Sequence, residues 1–285
     1  MKTKLSRRVF LTQMLLAASA CTAEETISNQ RLVIGVLSYG KGKQTVERLS
    51  GFRKYLSEKL KAIVELEPAF NERIAVERIK RKSWNLFFST PGLAAMSIAS
   101  YQYWSMFPLQ LDGGSRSIIV VNQNSPLQTI QDLRNRKIAL GQQGSATGYY
   151  FPLFNLYGLT LASVRFASTP KTSLEWLSSG EVDAAALSSQ ELNLHKSEFN
   201  SSQFRILLTD SHIVPSGSLL CSPDVERKRA DIIRNHLKQA PNSLIQQARY
   251  IPNASPPDYK HMISVVKRVN KITENIDSKP VRLFN

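Results

Sequence analysis

The chain has 285 residues, 42% of them hydrophobic and 21% charged, with 37 Lys and Arg against 22 Asp and Glu and a formal charge of +15. This is enough chain for one large domain or two medium ones, each with a real core. The composition is that of an ordinary globular protein, without a low-complexity run and without a repeat at solenoid or propeller periods.

The first element, in residues 1–20, reads as an export signal. It has a basic start, an apolar stretch from Val9 to Ala20 and small residues before Cys21. The apolar stretch is shorter than the roughly 20 residues a membrane span needs. Ser6, Arg7, Arg8, Val9, Phe10 and Leu11 resemble a twin-arginine signal, which an export receptor reads. Cys21 follows Ala18-Ser19-Ala20 and resembles the cleavage box of bacterial lipoproteins, with Ala18 where Leu is usual. Cys21 is therefore expected to carry lipid, and residues 21–29 to form a polar linker. Cys221 then has no partner, so no disulfide is expected, and in "SGSLLCSP" it reads as a small packed residue. Removing residues 1–20 takes away Lys2, Lys4, Arg7 and Arg8 and no acid, which leaves +11. In an exported protein that charge argues against nucleic acid. It fits solvated basic faces, anionic headgroups and the steering of small anions.

From residue 30 the chain alternates. "RLVIGVL" is a near-continuous apolar run, as a strand buried on both faces requires. "TVERLSGFRKYLSEKL" carries a helical stripe, "AIVELEPA" reads as a second strand, "ERIAVERIKRK" as a helix and "WNLFFST" as a third strand. The cations Arg78, Lys80, Arg81 and Lys82 read as a helix end meeting water. Glu65 and Glu67 sit on the half-exposed face of the second strand. "RSIIVVNQ" opens a second block: a short helix in "LQTIQDLRNR", the strand "KIALG", a helix from Ser145 to Tyr157, the strand "VRFAS", the helix "KTSLEWLSSG" and the strand "VDAAALS". "FRILLTD" leads back, and the tail from Asp224 reads as mostly helical. Strands alternating with helices predict an α/β protein with two mostly parallel sheets flanked by helices. The expected division is lobe 1 from 30–115 and 209–285 and lobe 2 from 116–208, joined by a double-crossover hinge.

Between "IALG" and its following helix stands "QQGSATGYY". In open α/β sheets, ligands sit beyond the carboxyl ends of strands, beside helix N-termini. Free N–H groups and the Ser145 and Thr147 hydroxyls there suit an oxyanion. The same residues also suit plain helix capping. The turn lacks the glycine spacing of a dinucleotide loop, the lysine of a Walker loop and the Gly-x-Ser-x-Gly of a nucleophile elbow.

"LVIGVLSYG", "FRKYLSEKL", "SRSIIVVNQNSPLQTIQDLRNRKIALGQQGSATGYYFP" and "LSSGEVDAAALSS" resemble the phosphonate-binding family of periplasmic substrate-binding proteins, over roughly residues 30–225. The resemblance implies a two-lobed, type II periplasmic-binding fold that closes over a phosphonate or related oxyanion and serves an ABC importer. It implies that Ser145, Ala146, Thr147 and Gly148 hold the anion, that Tyr39 is a pocket aromatic, and that Thr90 and Pro91 border the pocket. The family often has acids ahead of the "LxxGxVDA" helix and just after its strand; here those places hold Lys171 and Ser188. An ammonium-bearing phosphonate is thereby disfavoured for want of a counter-ion, and Lys171 would hold more anion charge. His212, in "TDSHIVPSG", is expected at the hinge beside the cleft, and one of Tyr149 and Tyr150 is expected to face it.

The function expected is thus an exported substrate-binding lipoprotein, monomeric, which captures a small oxyanion for an ABC permease. No catalytic residue, metal or cofactor is expected: His195, His236 and His261 make no metal spacing. The rival expectations are a sensory module for a signalling receptor, a hydrolase using Ser145, and a protein that kept the fold and changed its ligand.

Overall fold

The computed structural model describes residues 31–39, 42–110, 115–199, 203–274 and 276–284. The expected export signal, linker and lipidated Cys21 lie outside them. In chain order the elements are β1 (Arg31–Leu37), α1 (Gly42–Arg48), α2 (Ser50–Leu60), β2 (Ile63–Ala69), α3 (Glu72–Lys80), β3 (Leu86–Ser89), α4 (Pro91–Tyr101) and β4 (Trp104–Pro108). Then come β5 (Ser117–Asn122), β6 (Lys137–Leu140), a π-helical turn (Ala146–Tyr150) that runs into α5 (Phe151–Asn155), β7 (Thr160–Leu161), β8 (Ser163–Phe166), α6 (Pro170–Ser178), β9 (Ala184–Ser188) and α7 (Ser189–His195). The chain closes with β10 (Phe204–Thr209), β11 (Ser218–Cys221), α8 (Arg227–Lys238), α9 (Asn242–Ala248), α10 (Lys260–Ile272) and β12 (Val281–Arg282).

Two five-stranded sheets form the lobes, in the orders β2-β1-β3-β11-β4 and β10-β5-β9-β6-β8. Each is mixed, with four strands running one way and one, β11 or β5, running against them. In the first sheet β1 pairs in parallel with β2 and β3, while β11 is antiparallel to β3 and β4. In the second, β6 is parallel to β8 and β9, while β5 is antiparallel to β9 and β10. The antiparallel members flank the crossovers. The strand that enters a lobe through the hinge, β5 or β11, comes from the far end of the sheet, so it runs against its neighbours. The two crossovers lie side by side: Ser115 bridges Val214 antiparallel, and Asp210 N–H donates to the Ser117 carbonyl at 2.9 Å.

Several elements were not legible in the sequence, among them α4, β4 and α7. In α4, residues Gly92 to Ser97 are all buried, so its apolar residues form no stripe and no period can be read. β4 and α7 are short, at 5 and 7 residues, which leaves too little chain for a pattern. The tail also departs from its expected place in lobe 1. Met262, Val265, Val266, Val269 and Ile272 make one buried face of α10, which packs on α4 of lobe 1 and on α5 and the π turn of lobe 2. β12 then pairs with β7 in lobe 2. One apolar cluster consequently runs from Val76 and Leu93 through Tyr150 and Phe151 to Val265 and Leu283.

Candidate functional site

The turn before the π helix is held from several sides. Ser145 is the N-cap: its Oγ accepts from Gly148 N–H at 3.0 Å and its own N–H donates to Gln142 O at 3.0 Å. The Ser145 hydroxyl proton is then free to donate elsewhere. Ala146 and Thr147 stand in the first turn, where N–H groups have no intrahelical acceptor. Ser117 Oγ donates to Thr147 O at 2.7 Å and anchors the turn to β5. Gly144 has φ +111°, a region open to glycine. A Cβ there would sit 2.5 Å from Leu93 Cδ2 and 3.2 Å from Glu72 Cβ.

Lobe 1 meets this turn at the start of α4. Thr90 is the N-cap of α4 but makes no capping bond, and Pro91 follows at the first helical position. A Cβ on Gly92 would lie 2.3 Å from Gly144 O and 2.6 Å from Ala146 N, so glycine is required for the backbones to approach. Arg73 N–H also reaches across, to Gln142 Oε1 at 3.1 Å.

Between the lobes is a cleft of about 350 Å³, lined by Tyr39, Glu72, Thr90, Pro91, Gln110, Ser115, Ser145, Ala146, Thr147, Ser188, Gln190, Glu191, Val214, Pro215 and Gly217. Tyr39, Glu72, Ser145 and Glu191 also line an inner recess of about 20 Å³, with Gly141, Gly148, Thr169 and Ser173. No Lys, Arg or His lines either space among the described residues. The oxygens Thr90 Oγ1 and Ser115 Oγ are buried and have no hydrogen-bond partner among the described residues. Buried polar atoms are normally paired, so these hydroxyls mark a place for a polar guest.

The structure thus gathers Ser145, Ala146, Thr147, Gly148, Tyr39, Thr90 and Ser188 around one cleft. Two expected residues do not join them. Lys171 lies in the first turn of α6, but its Nζ pairs with Glu198 on the outer surface; Thr169, Pro170 and Ser173 of that segment reach the recess instead. His212 turns to the hinge. Its Nδ1 lies 2.9 Å from Asp210 Oδ1, and its ring stacks on His261 at 3.9 Å. Asp210, itself buried, takes Asn155 Nδ2 at 2.6 Å. His212 therefore ties the returning crossover to α5 and α10. Neither tyrosine of the motif faces the cleft: Tyr150 is fully buried, and Tyr149 opens on a separate recess with Phe166 and Arg73.

Two acids that the sequence reading did not place also line the cleft. Glu72, in the first turn of α3, is only 5% exposed. Its Oε1 accepts a short hydrogen bond from Tyr39 Oη. Burial pushes its carboxyl up to about 7, with the Tyr39 bond pulling the other way and Glu191 adding to the rise. Burial and Glu72 in turn raise the Tyr39 hydroxyl well above its ordinary value. Tyr39 has φ 41°, a strained angle for an aromatic residue. Glu191 caps α7 together with Ser188: Ser188 N–H donates to Glu191 Oε2 at 2.7 Å and Glu191 N–H to Ser188 Oγ at 3.0 Å. Sequence reading missed both acids because it searched the second lobe near Lys171 and Ser188. Glu72 comes from the other lobe, and Glu191 is one helical turn past Ser188.

Among the described residues no cluster of three His, Cys, Asp or Glu is placed to hold a metal, and no helix is long and apolar enough to cross a membrane. A family model described as the periplasmic substrate-binding protein of phosphonate ABC transporters matches residues 34–253. No curated protein matches the chain. Similar solved structures include XAC2383 from Xanthomonas citri bound to ATP, at 17% identity and TM-score 0.68 over 85% of this chain and 98% of that one. They also include PhnD1 from Prochlorococcus marinus in complex with methylphosphonate, at 21% identity and TM-score 0.64, covering 86% and 100%. A binding protein component of an ABC phosphonate transporter from Pseudomonas aeruginosa matches at 11% identity and TM-score 0.63, covering 87% and 88%. These likenesses establish the two-lobed type II periplasmic-binding fold.

Proposed function

Because the chain belongs to the phosphonate family of periplasmic substrate-binding proteins of ABC transporters, we propose that its inter-lobe cleft captures a small phosphoryl oxyanion and that Ser145, Ala146, Thr147, Thr90 and Ser115 supply the donors. The family's work is binding rather than catalysis: a small ligand is taken up outside the cytoplasm and passed to a membrane permease.

The observation that carries the ligand reading is the set of unmatched donors from both sides of the cleft. Thr90 and Ser115 contribute buried hydroxyls without partners among the described residues. The helix start contributes the N–H groups of Ala146 and Thr147 and the free proton of Ser145. Donors converging on a desolvated space favour an anion, since hydrogen bonds to charged groups are the strong ones. Closure of the lobes over the ligand follows from differential contact, as the liganded state gains partners from both lobes. Tyr39, Gly148 and Ser188 complete the wall, while Lys171 and His212 take no part.

The protein acts as a monomer tethered to the membrane through lipid on Cys21, after export by the twin-arginine-like signal in residues 1–20. That reading rests on the sequence motifs.

Isothermal titration of the mature protein with methylphosphonate, phosphite and phosphate tests the site. Ser145→Ala and Thr147→Val should each weaken binding by about 1.5–3 kcal/mol, roughly ten- to a hundredfold. Unchanged affinity in both variants would put the ligand elsewhere.

A further inference from the structure

Glu72 is an unexpected group to find in a site for anions. It is buried, it comes from the lobe opposite the helix start, and its Cβ lies against Gly144 of the anion turn. Tyr39 Oη occupies one carboxyl oxygen, and Oε2 has no side-chain donor among the described residues. Among the described residues, no cationic side chain lines the space to offset a second negative charge. A carboxylate and an oxyanion can share such a cleft only if one proton lies between them.

We propose that Glu72 is a specificity-determining residue that shares one proton with the bound oxyanion, so that the cleft selects ions carrying their own O–H over ions that carry none. This rests on the oxyanion reading of the cleft and adds the protonation state of the ligand to it. The buried, unpartnered hydroxyls of Thr90 and Ser115 in the same cleft point independently to a ligand there. A role for Glu72 as counter-ion to an alkylammonium fits less well. Glu72 Oε1 is already taken by Tyr39 Oη. Glu191 Oε2 is also already engaged by Ser188 N–H.

Among the described residues, the titratable groups facing Glu72 are Tyr39, just after β1, and Glu191 from α7; the linings from α4, the crossover and the π turn have none. Burial holds the Glu72 proton up to a pH of about 7. Below that pH, Glu72 can donate to any oxyanion. Above it, the ligand must bring the proton. Phosphate keeps an O–H through the mildly alkaline range, and sulfate has none.

The test is titration of the mature protein with phosphate and with sulfate between pH 5.5 and 8.5. Wild type should bind both ions at pH 5.5. Sulfate affinity should then fall about tenfold per pH unit above pH 7, one proton per complex, while phosphate affinity holds. Glu72→Gln, whose amide donates at every pH, should bind sulfate without that fall. Tyr39→Phe keeps the carboxyl and removes a bond that lowers its pKa. It should move the loss of sulfate to higher pH, which keeps the test informative if Glu72→Gln does not fold. Parallel pH profiles for the two ions in wild type, or a Glu72→Gln profile identical to wild type, would overturn the role of Glu72 and leave anion capture standing. Binding of neither ion, nor of methylphosphonate, at any pH would instead remove the oxyanion reading itself. If 2-aminoethylphosphonate alone bound, and lost affinity in Glu72→Gln, the carboxyl would be a counter-ion and the proton-sharing role would fall.

Discussion

Glu72 carries consequences for stability as well as for binding. Its carboxyl rises from the ordinary 4.5 to about 7 because burial disfavours the charged form. A folded-state value above the unfolded one means that the folded protein holds the proton more tightly. The stabilisation is complete below pH 4.5 and is lost as pH rises through 7. The shift corresponds to a loss on the order of 3 kcal/mol. Glu72→Gln should therefore gain on wild type as pH rises across this window, measured by urea unfolding without ligand. A difference between the two proteins that stays constant with pH would count against a strained carboxyl. Cys221 shows the opposite economy of meaning. It is fully buried in β11 and its thiol is pushed up to about 12 by burial, so it is the small packed residue that its sequence setting suggests.

At the scale of elements, the helix starts around the cleft treat their caps differently. Asn71 caps α3, accepting from Ile74 N–H at 3.0 Å, and Thr169 caps α6, accepting from Thr172 N–H at 3.1 Å. The N-cap of α4, Thr90, withholds its hydroxyl from the helix. That departure is what leaves a donor for a ligand. α4 also brings Gly92 against the anion turn, with no room for a Cβ between them. Gly92→Ala should prop the lobes apart by displacing Gly144 and Ala146. Overpacking of this kind costs about 1–3 kcal/mol. The expected signature is a loss of methylphosphonate affinity larger than the loss of unliganded stability, read by calorimetric titration alongside chemical unfolding. A stable variant with wild-type affinity would show that the contact between α4 and the turn does not shape the binding state.

Across the whole molecule, the lobes are joined by more than the two crossovers. α10 lies on both lobes, and β12 is fixed by the bond from Gly158 N–H to Leu283 O at 2.9 Å and its reciprocal from Leu283 N–H to Leu159 O at 3.0 Å. Val281 and Leu283 are buried there. The returning crossover is pinned by the His212–His261 stack and by Asp210. Among the described residues the cationic side chains lie outside the cleft. The net charge can therefore draw anions or headgroups toward the molecule, while the hydrogen-bond donors do the holding. The tether belongs to this scale too. Cys21→Ser should move the protein from the membrane fraction to the soluble extracytoplasmic fraction while leaving ligand binding intact. A wild-type protein already found in the soluble fraction would remove the lipid anchor from the account.

The amino-acid sequence by itself determined the α/β class, the alternation of strands and helices and the helix cap at Ser145. Each of these is written in local patterns: apolar runs for buried strands, helical stripes, and a small polar stretch between a strand and a helix. Sequence could not show α4, whose all-round burial erases the period, or the antiparallel members of the two sheets, which follow from chain direction at the hinge. Nor could it choose the direction of a side chain. Lys171 and His212 stood at promising places but found Glu198 and Asp210 as partners outside the cleft. Glu72 lay in an unremarked amphipathic helix, yet the approach of the two lobes buried it beside the anion turn. Burial and partnership depend on what folds over a residue from far along the chain, so only the tertiary structure could decide which acids and which hydroxyls share the cleft.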